Sequence, residues 1–355
     1  MKTIHSGKVY KWLSVMFFTS LFFIGSLQAW HLAISKVIQN NKWSVKALVY
    51  HRFGDDRYPS TNTSVEDFED QMKWLKQNGY ISVTSSQVYA LNDKDEKKYV
   101  CITVDDGYKS FLQNALPILR KYGMKATIYV NTESVGWGDY LTWDELKAIQ
   151  KEGVEIGNHS HSHAYFLNKD VEERSIYFES DLDLADKLFK KHLGSIPKSY
   201  AYPFGEFDES MMSVLKSKGY RLSFAQNSGV WCESDDLFAI PRFPMSGKIS
   251  IDKFISKVEM EPFRVSTDRK SPHIEVAGKN IKISFKYNKS DYIGSINCFI
   301  NGVIYNNVQT YEDIYMVKLN LLQKTRRTLV TLTTKDKEGN WCWYSHLVII
   351  PQIGE

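Results

Sequence analysis

The sequence predicts an α/β protein with a parallel sheet, either a barrel or doubly wound, followed by a small all-β Ig-like sandwich domain. Three observations carry this. From about Ser44 to Phe263 short apolar runs alternate with segments of helical periodicity. After about Asp268 the helical periodicity stops and only strand candidates follow. The chain has 355 residues, longer than the usual single domain of roughly 100–200 residues.

The elements follow in order. Val45–Tyr50 reads as a buried strand. Ser64 is placed to cap a helix whose Phe68, Met72 and Leu75 recur at helical spacing, with Gly79 ending it. Val100–Val104 is the next strand; a helix through Ala115 and Leu119 stops at Gly123, and Ala126–Val130 is again extended. Thr142 and Glu145 have the spacing of a capping box, Leu146 and Ile149 face inward, and Gly153 closes that helix before Val154–Ile156. Leu182–Phe189 and Met211–Leu215 read as helical, Ser199–Tyr202 and Arg221–Phe224 as extended. Such alternation implies parallel pairing through right-handed crossovers, with active residues at the strand C-termini. Beyond Asp268, Ile274–Val276, Ile281–Tyr287, Ile296–Ile300, Tyr315–Leu319, Thr328–Thr333 and Trp343–Ile350 are strands separated by turns such as Asn301-Gly302 and Gly339-Asn340. They make a sandwich of about 85 residues. The expected domains are 45–265 and 268–355.

Composition narrows the function. Hydrophobic residues make 43% and charged residues 24% of the chain, as in an ordinary folded protein. The net charge of +4 is spread without a basic run, which argues against a nucleic-acid partner. The 9 Trp and 21 Tyr suit stacking on sugar rings, but most are expected to serve core and surface packing. At the N-terminus Lys8 and Lys11 precede an apolar run from Trp12 to about Leu27, so residues 1–34 are expected to be a signal peptide or a membrane anchor. Cleavage after Ala29 would leave Leu27 where a small residue is wanted, whereas continuation through Ile34 reaches the roughly 20 residues that span a bilayer. Either reading exports the remainder to the periplasm, the cell surface or the medium. Four cysteines without a CxxC pair exclude a zinc ribbon and a disulfide scaffold. Cys101 belongs to a core strand, and Cys298 and Cys342 are candidates for one disulfide.

Chemistry concentrates in three segments. The apolar strand Cys101–Val104 ends in Asp105-Asp106-Gly107. Adjacent carboxylates are costly unless a cation or a shared proton relieves them, although an Asp-Asp-Gly turn is also a common cap. The strand Val154–Gly157 runs into Asn158-His159-Ser160-His161-Ser162-His163, where His159 and His163 stand four apart. One helical turn would put both imidazoles on one face, with His161 pointing elsewhere. One Asp and two His make a three-ligand site with open positions, suited to catalysis. One carboxylate then binds the cation while the other takes a proton. In the third segment, Tyr202-Pro203-Phe204-Gly205, the Pro fixes the backbone, and the Phe204 amide is placed to donate to a developing oxyanion.

Thr103-Val104-Asp105-Asp106-Gly107, His159-Ser160 with His163, and Tyr202-Pro203-Phe204-Gly205 together resemble the motifs of NodB-type polysaccharide deacetylases, carbohydrate esterase family 4. The resemblance covers roughly residues 45–265. It implies a deformed α/β barrel, Asp106, His159 and His163 as metal ligands, and Asp105 as general base. It also places Tyr202 and Phe204 at the oxyanion and substrate. The implied cofactor is a divalent metal, zinc by default, with nickel, cobalt or iron also suited to imidazole and carboxylate. The implied partner is an acetylated polysaccharide, either an N-acetylglucosamine polymer or acetylxylan. Leu48-Val49-Tyr50-His51-Arg52-Phe53 is similar to the poly-β-1,6-N-acetylglucosamine branch, which implies His51 as general acid. The family's third motif commonly begins with an Arg two residues before the Pro; here that residue is Ala201, and Arg242 in Ile240-Pro241-Arg242-Phe243 resembles its replacement. Two other classes compete. Backbone hydrolysis by Asp105 and Asp106 is disfavoured because neighbouring residues flank a bond poorly. A non-catalytic glycan-binding envelope protein gives the acids and histidines no reason to occur together.

Overall fold

The computed structural model describes residues 43–88, 91, 97–321 and 325–354. The expected signal or anchor over 1–34 lies outside the described residues. Among those described, no helix is long and apolar enough to cross a membrane. Ser44–Glu355 forms one compact unit.

Six parallel strands form the spine of a nine-stranded first sheet: β1 (Ser44–Tyr50), β2 (Tyr99–Val104), β3 (Thr127–Val130), β4 (Glu155–Asn158), β5 (Ser199–Ala201) and β6 (Leu222–Phe224), paired in that order. Nearly every residue in them is buried, as expected of strands covered on both faces. The two-residue strand β7 (Phe243–Pro244) runs parallel to β1, with Leu48 opposite Phe243 and Val49 opposite Pro244. Just before it, Ile240 bridges Phe224 of β6. The segment from Ile240 to Pro244 therefore lies between the last and first strands, and the curled sheet meets itself through a closing strand of two residues.

Helices surround it. In α1 (Val65–Gln77) the Ser64 side chain accepts from the Asp67 amide, and Phe68, Met72 and Leu75 are buried. Helix α2 (Leu116–Tyr122) ends on Gly123 at φ 64°, and α3 (Trp143–Lys151) starts with the complete Thr142–Glu145 capping box. Helix α4 (Val171–Leu193) begins eleven residues before the expected Leu182. Its first turns show no apolar stripe, because Val171 and Ile176 face solvent. Helices α5 (Glu209–Ser217) and α6 (Ile251–Val258) complete the layer.

The C-terminal region is two sheets. Strands β8 (Asn280–Tyr287) and β10 (Ile314–Asn320) pair antiparallel in one; β9 (Tyr292–Ile300), β11 (Arg327–Asp336) and β12 (Trp341–Ile349) form the other. Burial alternates along β8 with period two, and Ile283, Phe285, Val317, Leu332 and Val348 meet between the sheets. This region joins the barrel closely. Glu261 and Pro262 pair with β12, and Leu347 and Ile349 share a core with Tyr200, Tyr202 and Phe207. The expected disulfide is corrected: all four cysteines are free thiols. Cys298 and Cys342 lie on strands separated by β11, opposite Leu332 and Thr334, roughly two inter-strand spacings of about 4.8 Å apart and out of bonding reach.

Candidate active site

Strand β2 delivers the acids. The Asp105 amide donates to Tyr50 O at 2.9 Å, the last rung beside β1. The chain then turns sharply, with Asp106 at φ 73° and Gly107 at φ 79°. A left-handed aspartate is uncommon and concentrates at functional sites. The turn sends the two carboxylates in different directions.

Asp105 goes inward and meets Arg242, whose Nη1 and Nη2 donate to its two oxygens at 2.7 and 2.8 Å. Both side chains are essentially inaccessible to solvent. Arg242 also donates from Nη1 to Thr103 Oγ1 at 3.0 Å and from Nε to Ala225 O at 2.9 Å. This arginine sits in the closing segment, so the irregularity that joins the sheet's two edges also inserts the cation. Burial raises the Asp105 carboxyl, but the charge of Arg242, then that of His159, and the Arg242 hydrogen bonds outweigh it and hold Asp105 below its ordinary range.

Asp106 goes outward to the histidines. Its Oδ1 lies 3.4 Å from His159 Nε2 and 3.3 Å from His163 Nε2. The ligand atoms of these three residues all fall within 4.8 Å of one another. The expected helical turn is absent. Residues 160–163 bend instead, with Ser160 at φ 72° and His163 at φ 51°, and these left-handed kinks bring the imidazoles together. His159 Nδ1 donates to Ala201 O at 2.7 Å, which fixes its tautomer and leaves Nε2 as acceptor. That orientation is typical of metal-ligating histidine, and the donor set of one carboxylate and two imidazoles fits a divalent cation. Burial lowers His159, but the charge of Asp105 and its contact with Asp106 prevail and raise it. Burial likewise raises Asp106, yet its contacts with His159 and His163 and the charge of His51 take it well below the carboxylate range. The cluster thus favours a positive charge at its centre.

Phe204 also has left-handed backbone, φ 58°. Its ring stacks on Tyr165 at 3.6 Å and meets His163 edge-on at 4.6 Å. At Gly205 a side chain would collide with Gln226, with a Cβ only 2.3 Å from that residue's Cβ. Tyr202 does not join the group. Its ring is buried against Phe207, and its hydroxyl donates to Phe238 O at 3.1 Å, so the ring itself is turned away from the cluster. Any ligand contact there comes from its backbone. His51, half-buried at the end of β1, has Nδ1 3.2 Å from Ser246 Oγ and Nε2 3.5 Å from Gln226 Nε2. Burial lowers its pKa, partly countered by Asp106 and Asp105.

Some contributors gave no sequence signal. Asp181, halfway along α4, accepts from the amides of His161 and Ser162 at 2.8 and 2.9 Å. Asn158 Oδ1 holds the Ser160 amide at 2.8 Å, while its amide nitrogen donates to Asp186 and Tyr220. His161 reaches Thr132 Oγ1 at 2.9 Å and does not join the cluster. Asn158 alone is of a residue type that favours such local turns.

Residues 92–223 match the family described as polysaccharide deacetylase, a span holding both acids, the His loop and the Phe204 turn but neither His51 nor Arg242. The protein YxkH of Bacillus subtilis (strain 168) is 29% identical over 215 residues, which are 60% of this chain and 75% of that one. The poly-beta-1,6-N-acetyl-D-glucosamine N-deacetylase of Staphylococcus aureus (strain MSSA476) is 29% identical over 199 residues, 52% of this chain and 68% of its own. The solved structure of the Streptococcus pyogenes deacetylase PplD in complex with acetate shares the fold, with TM-score 0.56 at 22% identity over 61% of this chain and 99% of that one. Residues 92–223, which carry both acids and the histidine loop, are thus a polysaccharide deacetylase domain of the NodB type.

Proposed function

We propose that the protein is exported and removes N-acetyl groups from an N-acetylglucosamine polymer, poly-β-1,6-N-acetylglucosamine in the first place, releasing acetate. One observation carries the chemistry: Asp105, locked by Arg242, stands beside the convergent Asp106, His159 and His163. The polymer is suggested by the activity named for the Staphylococcus aureus relative.

Asp106, His159 and His163 would hold a divalent cation, zinc by default, which supplies Lewis-acid polarisation and lowers the pKa of water. Asp105 is the base. Held below the ordinary carboxylate range, it is ionised and ready to take the proton of the attacking water, while Arg242 prevents it from swinging onto the cluster. The Phe204 amide donates to the oxygen that gains charge at the tetrahedral carbon. His51 gives a proton to the departing sugar nitrogen; its lowered pKa makes the protonated ring a stronger acid. The C-terminal sheets, read as an Ig-like module, serve positioning rather than sugar binding.

The test is acetate release from poly-β-1,6-N-acetylglucosamine, chitin oligomers, peptidoglycan and acetylxylan, with and without chelator. Chelator-sensitive release from the first is expected, and release from another polymer alone would move the substrate. Asp105→Asn should keep the metal and lose turnover by about three orders of magnitude or more; wild-type turnover in that variant would sink the assignment of the base.

A further inference from the structure

Phe204 is held from a direction that the deacetylase motifs do not explain. Its carbonyl oxygen accepts from Arg327 Nη1 at 2.6 Å, and Arg327 is the first residue of β11 in the C-terminal region. The adjoining Glu206, fully buried, accepts two hydrogen bonds from Arg326, Nε to Oε1 and Nη2 to Oε2, both at 2.7 Å. Arg326 is tied in turn to Pro351 O at 2.8 Å and Ile353 O at 3.1 Å. It also lies 4.5 Å from the centre of the Tyr165 ring that stacks on Phe204. Two consecutive arginines, Arg326 just before β11 and Arg327 at its start, thus grip the turn on both sides of Gly205.

The grip has a physical purpose. A phenylalanine at φ 58° and ψ 3° occupies a conformation that costs about 1–3 kcal/mol and persists only where its surroundings over-determine it. Gly205 N donates to Tyr202 O at 2.9 Å, closing the turn from within. Fixing the Phe204 carbonyl sets the following peptide plane and, through the shared Cα, the direction of the Phe204 amide. We infer that Arg327, buttressed by the Arg326–Glu206 pair, is a positioning residue for deacetylation. It aims the Phe204 amide at the developing oxyanion, so that the C-terminal sheet is part of the catalytic unit.

This rests on the acetyl-hydrolysis reading above. The substitution is Arg327→Gln, chosen because Arg327 is partly exposed and Arg326 still neutralises Glu206 when it is gone. Acetate release is measured with substrate varied, alongside metal content and thermal melting. A misaimed donor lowers kcat about tenfold with KM and metal content unchanged. Arg327→Lys, shorter and without the planar fork, should fall about threefold. Both variants within twofold of wild type, or a loss of kcat that tracks loss of metal or of melting temperature, overturn the positioning role. If Arg327→Gln does not fold, Arg327→Lys decides by the same criterion. A wild-type chain that releases no acetate overturns the parent reading and this one with it, whereas an active wild type beside unaffected variants overturns this one alone.

Discussion

At the scale of single residues, the site depends on one buried ion pair. Asp105 and Arg242 come from segments 137 positions apart, and each satisfies the other's charge where water cannot. Arg242→Met would leave Asp105 buried without its cation, a change that costs on the order of 3–5 kcal/mol. Thermal melting should show a large drop, together with loss of acetate release that added metal does not restore. A variant that melts like wild type would mean that the carboxylate finds another partner. The acids and histidines were readable in sequence because their chemistry is local: a doubled aspartate after an apolar strand and histidines four apart. Arg242 was readable only through a family likeness. Asp181 was not readable at all, since a carboxylate facing two loop amides looks, in sequence, like any other acid on a helix.

At the scale of elements, caps and periodic faces were legible because they are set by residues within four positions of each other. Ser64, the Thr142–Glu145 box and Gly123 each act where the spacing placed them. The early turns of α4 were illegible because they bury little. The two-residue strand β7 was illegible because its pairing with β1 is entirely non-local. The helical turn expected between His159 and His163 failed for a related reason. Asp181 and Asn158 hold the loop amides in place of a helix's own carbonyls, so the backbone follows those anchors. The site's rigidity also depends on strand β4, where Gly157 faces the Tyr129 ring so closely that a Cβ would lie 2.2 Å from Cε1. Tyr129 is itself pinned, its hydroxyl donating to Ser85 Oγ at 2.8 Å. Gly157→Ala should therefore cost about 1–3 kcal/mol by overpacking and weaken metal retention two residues away. Chemical denaturation and metal analysis check this, and an unchanged midpoint would show that the ring can withdraw.

At the scale of the whole molecule, the barrel and the C-terminal sheets share a core and an ion pair, so a loss of stability in one is felt in the other. His346 on β12 gives that coupling a pH dependence. The residue has no solvent exposure, its two ring nitrogens find no hydrogen-bond partner among the described residues, and the Phe285 ring stands edge-on 5.7 Å away. Burial, helped by the positive charges of His273 and Arg269 and opposed by Asp268, takes its pKa down from 6.5 to about 3. A depressed folded-state value means that the unfolded chain binds the proton first. Stability is therefore complete above pH 6.5 and drains away as pH falls toward 3. The loss is about 2 kcal/mol by pH 5, at 1.36 kcal/mol per unit. His346→Leu keeps the apolar contacts and removes both the titration and the unpaired nitrogens, so at pH 7.5 it should be neutral or stabilising. Between pH 7.5 and 5 it should lose about 2 kcal/mol less than wild type. Urea midpoints at the two pH values measure the difference. Equal losses in the two proteins would place the acid sensitivity elsewhere in the molecule.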